Sequence, residues 1–175
     1  MKTLYLIRHA KSDWSSFSLS DVERGLSKKG YRDVNTIGSY LSLRGVTPEV
    51  ILSSCALRTQ ETADELAKKI EFTGEKYYLK ELYLTSPEAI KEIVMIQDDD
   101  IEVMFVIGHN PQLSELCNML IDEHIAKIPT LGVVAINFNV DRWEELDETK
   151  GQVDFFIYPK QFKYYMPKQI RTTLG

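Results

Sequence analysis

The stretch Leu4-Tyr5-Leu6-Ile7-Arg8-His9-Ala10 constrains the fold most, because an apolar run ends abruptly in a cation and an imidazole. Consecutive apolar residues suit a strand covered on both faces in a parallel sheet, whereas a half-solvated strand would alternate. In open α/β sheets the groups just past the carboxyl ends of strands line the ligand crevice, so Arg8 and His9 stand where chemistry is done. A neutral imidazole there serves as nucleophile, base or metal ligand. The plainer reading is an Arg-His pair that merely solvates a strand end.

The same pattern recurs further along. Val50-Ile51-Leu52 runs into Ser53-Ser54-Cys55 ahead of a helix over roughly residues 56–70, with Thr59, Ala63, Leu66, Ala67 and Ile70 on its buried face. Arg58 falls in the first turn of that helix, where the dipole disfavours a cation and calls for a compensating anion. Residues 102–107 run into Gly108-His109-Asn110-Pro111, ahead of a helix carrying Leu113, Leu116, Cys117 and Leu120 on one face. Between the first two strands, residues 11–23 have no period and read as a loop folding over the first strand end. Ser27 then caps a helix with Tyr31, Val34, Ile37 and Leu41 towards the sheet and Gly45 at its stop.

Tyr77-Tyr78-Leu79 is a further short strand, and Ser86-Pro87-Glu88 starts a helix carrying Ile90, Ile93, Val94 and Gln97. Asp98-Asp99-Asp100 reads as a solvated turn, with metal binding the lesser alternative. Residues 132–138 and 153–158 are late strands expected at a sheet edge, and residues 160–175 form a basic, aromatic tail expected to be partly ordered. Alternating strands and helices imply an α/β fold in three layers, a doubly wound, mostly parallel sheet with helices on both faces. At 175 residues the expectation is a single domain spanning 1–175.

Composition narrows the ligands. A formal net charge of -5 offers no general basic surface to a phosphate backbone, so nucleic acid is not the expected partner and any anion site is local. Cys55 and Cys117 form no Cys-x-x-Cys pair, which fits neither a disulfide scaffold nor a zinc knuckle and suits a reducing cytoplasm. No charged leader precedes the first strand and no apolar run approaches the roughly 18 residues of a membrane helix, so neither secretion nor membrane association is expected. No Gly-x-Gly-x-x-Gly follows the first strand, which weakens a dinucleotide-binding reading.

Three strand ends thus carry Arg8-His9, Arg58 and His109, which a parallel sheet brings to one edge. Guanidinium groups supply paired donors for phosphoryl oxygens, and a cationic surround stabilises a phosphoryl group in transfer. The sequence resembles the histidine phosphatase (phosphoglycerate mutase-like) superfamily through Leu6-Ile7-Arg8-His9-Ala10, through Ser53-Ser54-Cys55-Ala56-Leu57-Arg58-Thr59-Gln60-Glu61-Thr62-Ala63, and through Val106-Ile107-Gly108-His109-Asn110. Glu23-Arg24-Gly25-Leu26-Ser27-Lys28-Lys29-Gly30 resembles the family's entry into its first helix, with Gly25 where proline is usual, a departure expected to affect turn stiffness only. Short length and compact motif spacing are most similar to the SixA-type phosphohistidine phosphatases.

The resemblance implies that His9 is phosphorylated during turnover, that Arg8 and Arg58 bind the phosphoryl oxygens and that His109 completes the pocket. It implies no cofactor and no metal. Glu81, in Leu79-Lys80-Glu81, matches the Leu-x-Glu segment that supplies the acid in mutase-like members, although expulsion of imidazole needs less help than expulsion of an alkoxide. Lys11 is placed to touch substrate, or else is a solvated loop lysine, and His124 is a surface residue. The expected activity is that of a metal-independent phosphatase acting on phosphohistidine of a protein partner. A small-molecule phosphomonoesterase is the alternative, and a non-hydrolysing phospho-binding module a third, against which the presence of His9 among intact Arg8, Arg58 and His109 argues.

Overall fold

The computed structural model describes residues 1–16 and 18–165; the part of the expected tail beyond residue 165 lies outside the described residues, and residues 159–165 form a helix. Among the described residues, six strands, β1 (Lys2–Arg8), β2 (Val50–Ser54), β3 (Glu75–Leu79), β4 (Val103–Gly108), β5 (Val133–Phe138) and β6 (Gln152–Ile157), form one sheet in the order β3-β2-β4-β1-β5-β6. The pairs β1/β4, β2/β4 and β2/β3 are parallel, while β5 and β6 add antiparallel at the edge beyond β1. The helices are α1 (Lys28–Leu43), α2 (Leu57–Lys69), α3 (Pro87–Met95), α4 (Gln112–Leu120) and α5 (Pro159–Tyr165).

The alternation of side chains along each central strand explains the layers. In β1, Leu4 and Leu6 point into the core beneath α3 and α4, with Leu52, Val106, Ile90, Val94, Leu113 and Leu116. Tyr5 and Ile7 point the other way, against α1 and α2, with Ile51, Phe105, Val34, Ile37, Leu41, Ala63 and Leu66. The sheet is therefore covered on both faces, as the unbroken apolar runs demand. No described helix is long and apolar enough to cross a membrane.

Helix entry follows local chemistry. The Ser27 hydroxyl accepts from Gly30 N at 3.0 Å and the Ser86 hydroxyl accepts from Ala89 N at 3.1 Å, each satisfying one free amide of a first turn. Tyr31 departs from the expected buried stripe of α1: it is exposed, because its hydroxyl reaches the Glu61 carboxylate on α2 and keeps the ring at the rim. The Asp98–Asp100 turn is not merely solvated. Asp99 Oδ1 accepts from Trp143 N at 2.9 Å, and the Asp99 and Ile101 carbonyls accept the buried Lys2 ammonium. Among the described residues no group of three or more His, Cys, Asp or Glu side chains is arranged to hold a metal ion.

Candidate active site

Register decides what meets at the sheet edge. Arg8 pairs with Gly108 across β1/β4 and Ser53 pairs with Ile107 across β2/β4, so His9, His109 and Ser54 all stand at neighbouring strand ends. His9 N donates to Gly108 O at 3.1 Å, which prolongs the pairing by one residue. The two imidazole rings lie 5.4 Å apart between centroids. This is the crevice position of an open parallel sheet.

Around it lies a cavity of about 320 Å³ whose lining includes Arg8, His9, Lys11, Asp21, Arg24, Arg58, Tyr83, Leu84 and His109. The structure brings Arg8, His9, Arg58 and His109 together and puts Lys11, exposed, at the rim. Glu81 is not brought in. It sits on a short 3-10 turn, Lys80–Leu82, exposed and outside the lining, because that turn buries Leu82 and presents Tyr83 to the cavity instead. His124 is exposed and outside this lining.

Each imidazole has its tautomer fixed by its partners. His9 Nδ1 lies 2.7 Å from Ala10 O, a carbonyl that can only accept, so Nδ1 carries the proton and Nε2 keeps its lone pair. For His109, Arg58 Nη2 lies 3.4 Å from Nδ1 and can only donate, so Nε2 holds the proton and donates to Ser54 Oγ at 2.8 Å. Burial, and then the nearby charges of Arg58, Arg8 and Arg24, push His9 down to about 4 although its bond to Ala10 pulls upward. Burial, with Arg58 next, takes His109 down to about 3. Both rings are neutral at physiological pH.

The cations are held in place by the backbone and by one carboxylate. Arg8 Nη1 donates to Ile128 O at 3.1 Å, the carbonyl that also takes Asn110 Nδ2 at 2.7 Å. Arg58 donates through Nη1 to Asp21 O at 2.8 Å and through Nη2 to Asp21 Oδ2 at 3.1 Å, which supplies the anion that a cation at a helix start calls for. Arg24 Nη2 donates to Asp21 Oδ1 at 2.5 Å, and its guanidinium lies 3.5 Å from the Trp14 ring centroid. The hydroxyl of Tyr83 donates to Asp21 Oδ2 at 2.6 Å. That bond, with Arg24 and Arg58, holds Asp21 well below the usual carboxylate range. Among the described residues, Arg8 Nε and Arg24 Nε are buried without an acceptor, an arrangement suited to an incoming anion.

Sequence reasoning missed Asp21, Arg24, Tyr83 and Ser54 as members of this site. Only Arg58's demand for an anion pointed towards the first of them. The rest of the Arg58 segment has a structural use: Thr62 Oγ1 donates to Arg58 O at 2.7 Å and accepts from Ala10 N at 3.1 Å, tying α2 to the end of β1. Glu61 Oε1 accepts from Leu26 N at 2.9 Å, and a Cβ on Gly25 would meet that oxygen at 2.4 Å. A side chain at position 25 would displace the end of Glu61 and its bond to Leu26 N, so the glycine in place of proline affects packing as well as turn stiffness.

The sequence model for the histidine phosphatase superfamily (branch 1) matches residues 4–86. A chloroplastic protein of Arabidopsis thaliana, described as uncharacterized, is 31% identical over 159 residues, which cover 86% of this chain and 72% of that protein. A crystal structure assigned as phosphohistidine phosphatase SixA from Agrobacterium tumefaciens superposes with a TM-score of 0.79 at 23% identity, covering 90% of this chain and 98% of that one. The protein histidine phosphatase SixA in complex with tungstate superposes equally well, at 0.79 with 18% identity, covering 91% and 99%. The chain belongs to the histidine phosphatase superfamily, and its architecture is the phosphoglycerate mutase-like α/β fold shared with the SixA structures.

Proposed function

We propose that the chain is a phosphatase that transfers a phosphoryl group to His9 Nε2 and then to water, with phosphohistidine on a protein as its substrate. The observation that carries this reading is the fixed tautomer of His9: with Nδ1–H held by Ala10 O, the unprotonated Nε2 is the nitrogen left to attack, among three guanidinium groups. Attack forms a His9 Nε2–P bond and breaks the P–N bond of the substrate, and the departing imidazole takes its proton from solvent. Water then attacks phosphorus, releasing inorganic phosphate and restoring His9 with its lone pair. Arg8, Arg24 and Arg58 bind the equatorial oxygens, whose charge peaks during transfer. His109, accepting from Arg58 through Nδ1 and donating to Ser54 through Nε2, stays neutral and orients the Arg58 guanidinium for the phosphoryl group.

The likeness to structures named SixA supports the substrate class, as does a cavity open at the rim around Lys11, Trp14 and Leu84. The test is a panel setting a phosphohistidine peptide or protein against phosphorylated sugars, 3-phosphoglycerate and p-nitrophenyl phosphate, with chelator present throughout. Preference for phosphohistidine by kcat/KM is the expected result. Preference for one phosphorylated metabolite would make this a small-molecule phosphomonoesterase, and tight binding without turnover a phospho-binding module.

A further inference from the structure

We propose that Asp21 determines which leaving groups the site accepts, admitting neutral or cationic ring systems such as imidazole and rejecting substrates that carry a second anion beside the phosphoryl group. This rests on the reading of the cavity as a phosphoryl-transfer site. The first argument is charge balance. The inner lining holds three guanidiniums, two neutral imidazoles and one carboxylate, a net double positive charge that matches a single phosphoryl dianion and leaves no surplus for a second anion. Lys11 is the other cation of the lining, but it is exposed at the rim, where solvent and salt screen it.

The second argument is placement. Asp21 is gripped by Arg24, Arg58 and the Tyr83 hydroxyl, so its carboxylate is a fixed negative charge in the cavity lining beside Arg58 and Tyr83. Arg58 links it to His109, and the Tyr83 ring packs edge-on against the His109 ring at 5.6 Å between centroids. Asp21 therefore belongs to the Arg58–Tyr83–His109 part of the lining, and among the described residues none of its hydrogen bonds is to His9. An anionic substituent there meets an ionised carboxylate, whereas an imidazole that is gaining a proton is attracted to it.

The third argument is the apolar rim. Trp14, 65% exposed, stacks on Arg24, and Leu84, 82% exposed, lines the cavity with φ of 50°, a left-handed conformation costly for a branched side chain. Leu84 and the exposed indole add apolar surface to the lining that suits a planar ring, while the Asp21 carboxylate in the same lining favours positive charge.

The experiment compares the wild-type chain with Asp21→Asn and Tyr83→Phe. Turnover is measured on p-nitrophenyl phosphate, a phosphohistidine peptide and 3-phosphoglycerate; calorimetry gives Kd for inorganic phosphate and pyrophosphate. For Asp21→Asn the ratio of kcat/KM for 3-phosphoglycerate to that for the peptide should rise on the order of tenfold, the size of one charge contact at close range when solvent screens it, as it does for the half-exposed Asp21. The ratio of pyrophosphate to phosphate affinity should rise with it. Tyr83→Phe, which frees Asp21 without removing its charge, should move both ratios the same way by less. Unchanged ratios, or a parallel loss on every substrate, would overturn the proposal and reduce Asp21 to a brace for the arginines. If the wild type hydrolyses nothing, the phosphatase reading fails, and the calorimetric ratio still decides whether Asp21 filters a second anion.

Discussion

At the scale of single residues, the difference between His9 and His109 lies in which nitrogen is free. His9 presents Nε2 and His109 presents Nδ1 towards Arg58, so the same residue type takes two roles. His9→Ala should abolish turnover with the near-UV circular dichroism unchanged, and rapid quench of the wild type should trap acid-labile, base-stable phosphate that the variant lacks. Arg58→Ala and His109→Ala should each lower kcat roughly 10²-fold to 10³-fold and raise KM far less, because the Arg58 charge, oriented by His109, matters most in the transition state. A change confined to KM would make them ground-state binders. Glu81→Gln should change kcat/KM by less than about twofold on alkyl, aryl and phosphohistidine substrates alike, since its carboxylate is exposed and outside the cavity lining, whereas a general acid works within hydrogen-bond reach of the leaving group. A selective loss on alkyl phosphates would restore the role its Leu-x-Glu context suggested. His9, Arg8, Arg58 and His109 were legible because each follows a strand or starts a helix that periodicity reveals. Asp21, Arg24 and Tyr83 were not, because they come from aperiodic segments whose only organising feature is the arginine they meet.

At the scale of elements, the chain's regular structure was readable because apolar side chains alternate to two faces in the strands and recur at three and four residues in the helices. What periodicity could not show is how the first turn of α1 is braced against the end of β1. Lys11 O accepts both Ser27 N at 2.9 Å and Ser27 Oγ at 3.0 Å, which draws α1 so close that a Cβ on Gly30 would lie 2.3 Å from the same carbonyl. Gly30→Ala should therefore destabilise the fold by about 1–2 kcal/mol, the crowding cost exceeding the helix-propensity gain of about 1 kcal/mol. Urea unfolding measures this directly. Because Lys11 is two residues past His9, kcat should fall as well, and a stable variant with unaltered kcat would show that the brace does not position the nucleophile.

At the scale of the whole molecule, the fold places two neutral imidazoles in a crevice walled by arginines, and this ties acid stability to the site. Both rings have an ordinary value of 6.5 and are lowered in the fold, to about 4 for His9 and about 3 for His109, with burial the main cause. Well above pH 6.5, from about pH 7.5 upward, neither the folded nor the unfolded chain protonates them appreciably, so the full stability is present. As pH falls towards about 4 and then about 3, the unfolded chain takes up protons that the folded chain refuses, and stability is lost at up to about 1.4 kcal/mol per pH unit for each ring. Asp21 extends the loss at the acid end by the same linkage: its value is depressed too, here because Tyr83, Arg24 and Arg58 favour its charged form, so the stability it contributes disappears as pH drops below the usual carboxylate range. Unfolding free energies measured in urea at pH 7, 6, 5 and 4.5 should fall more steeply for the wild type than for His9→Gln or His109→Gln, whose amides do not titrate. Saturating tungstate, by offsetting the arginines, should flatten the wild-type curve, because the bound oxyanion lets the free Nε2 of His9 accept its proton while folded. Parallel curves for all three proteins would mean that these histidines are already protonated, or already solvated, in the folded state.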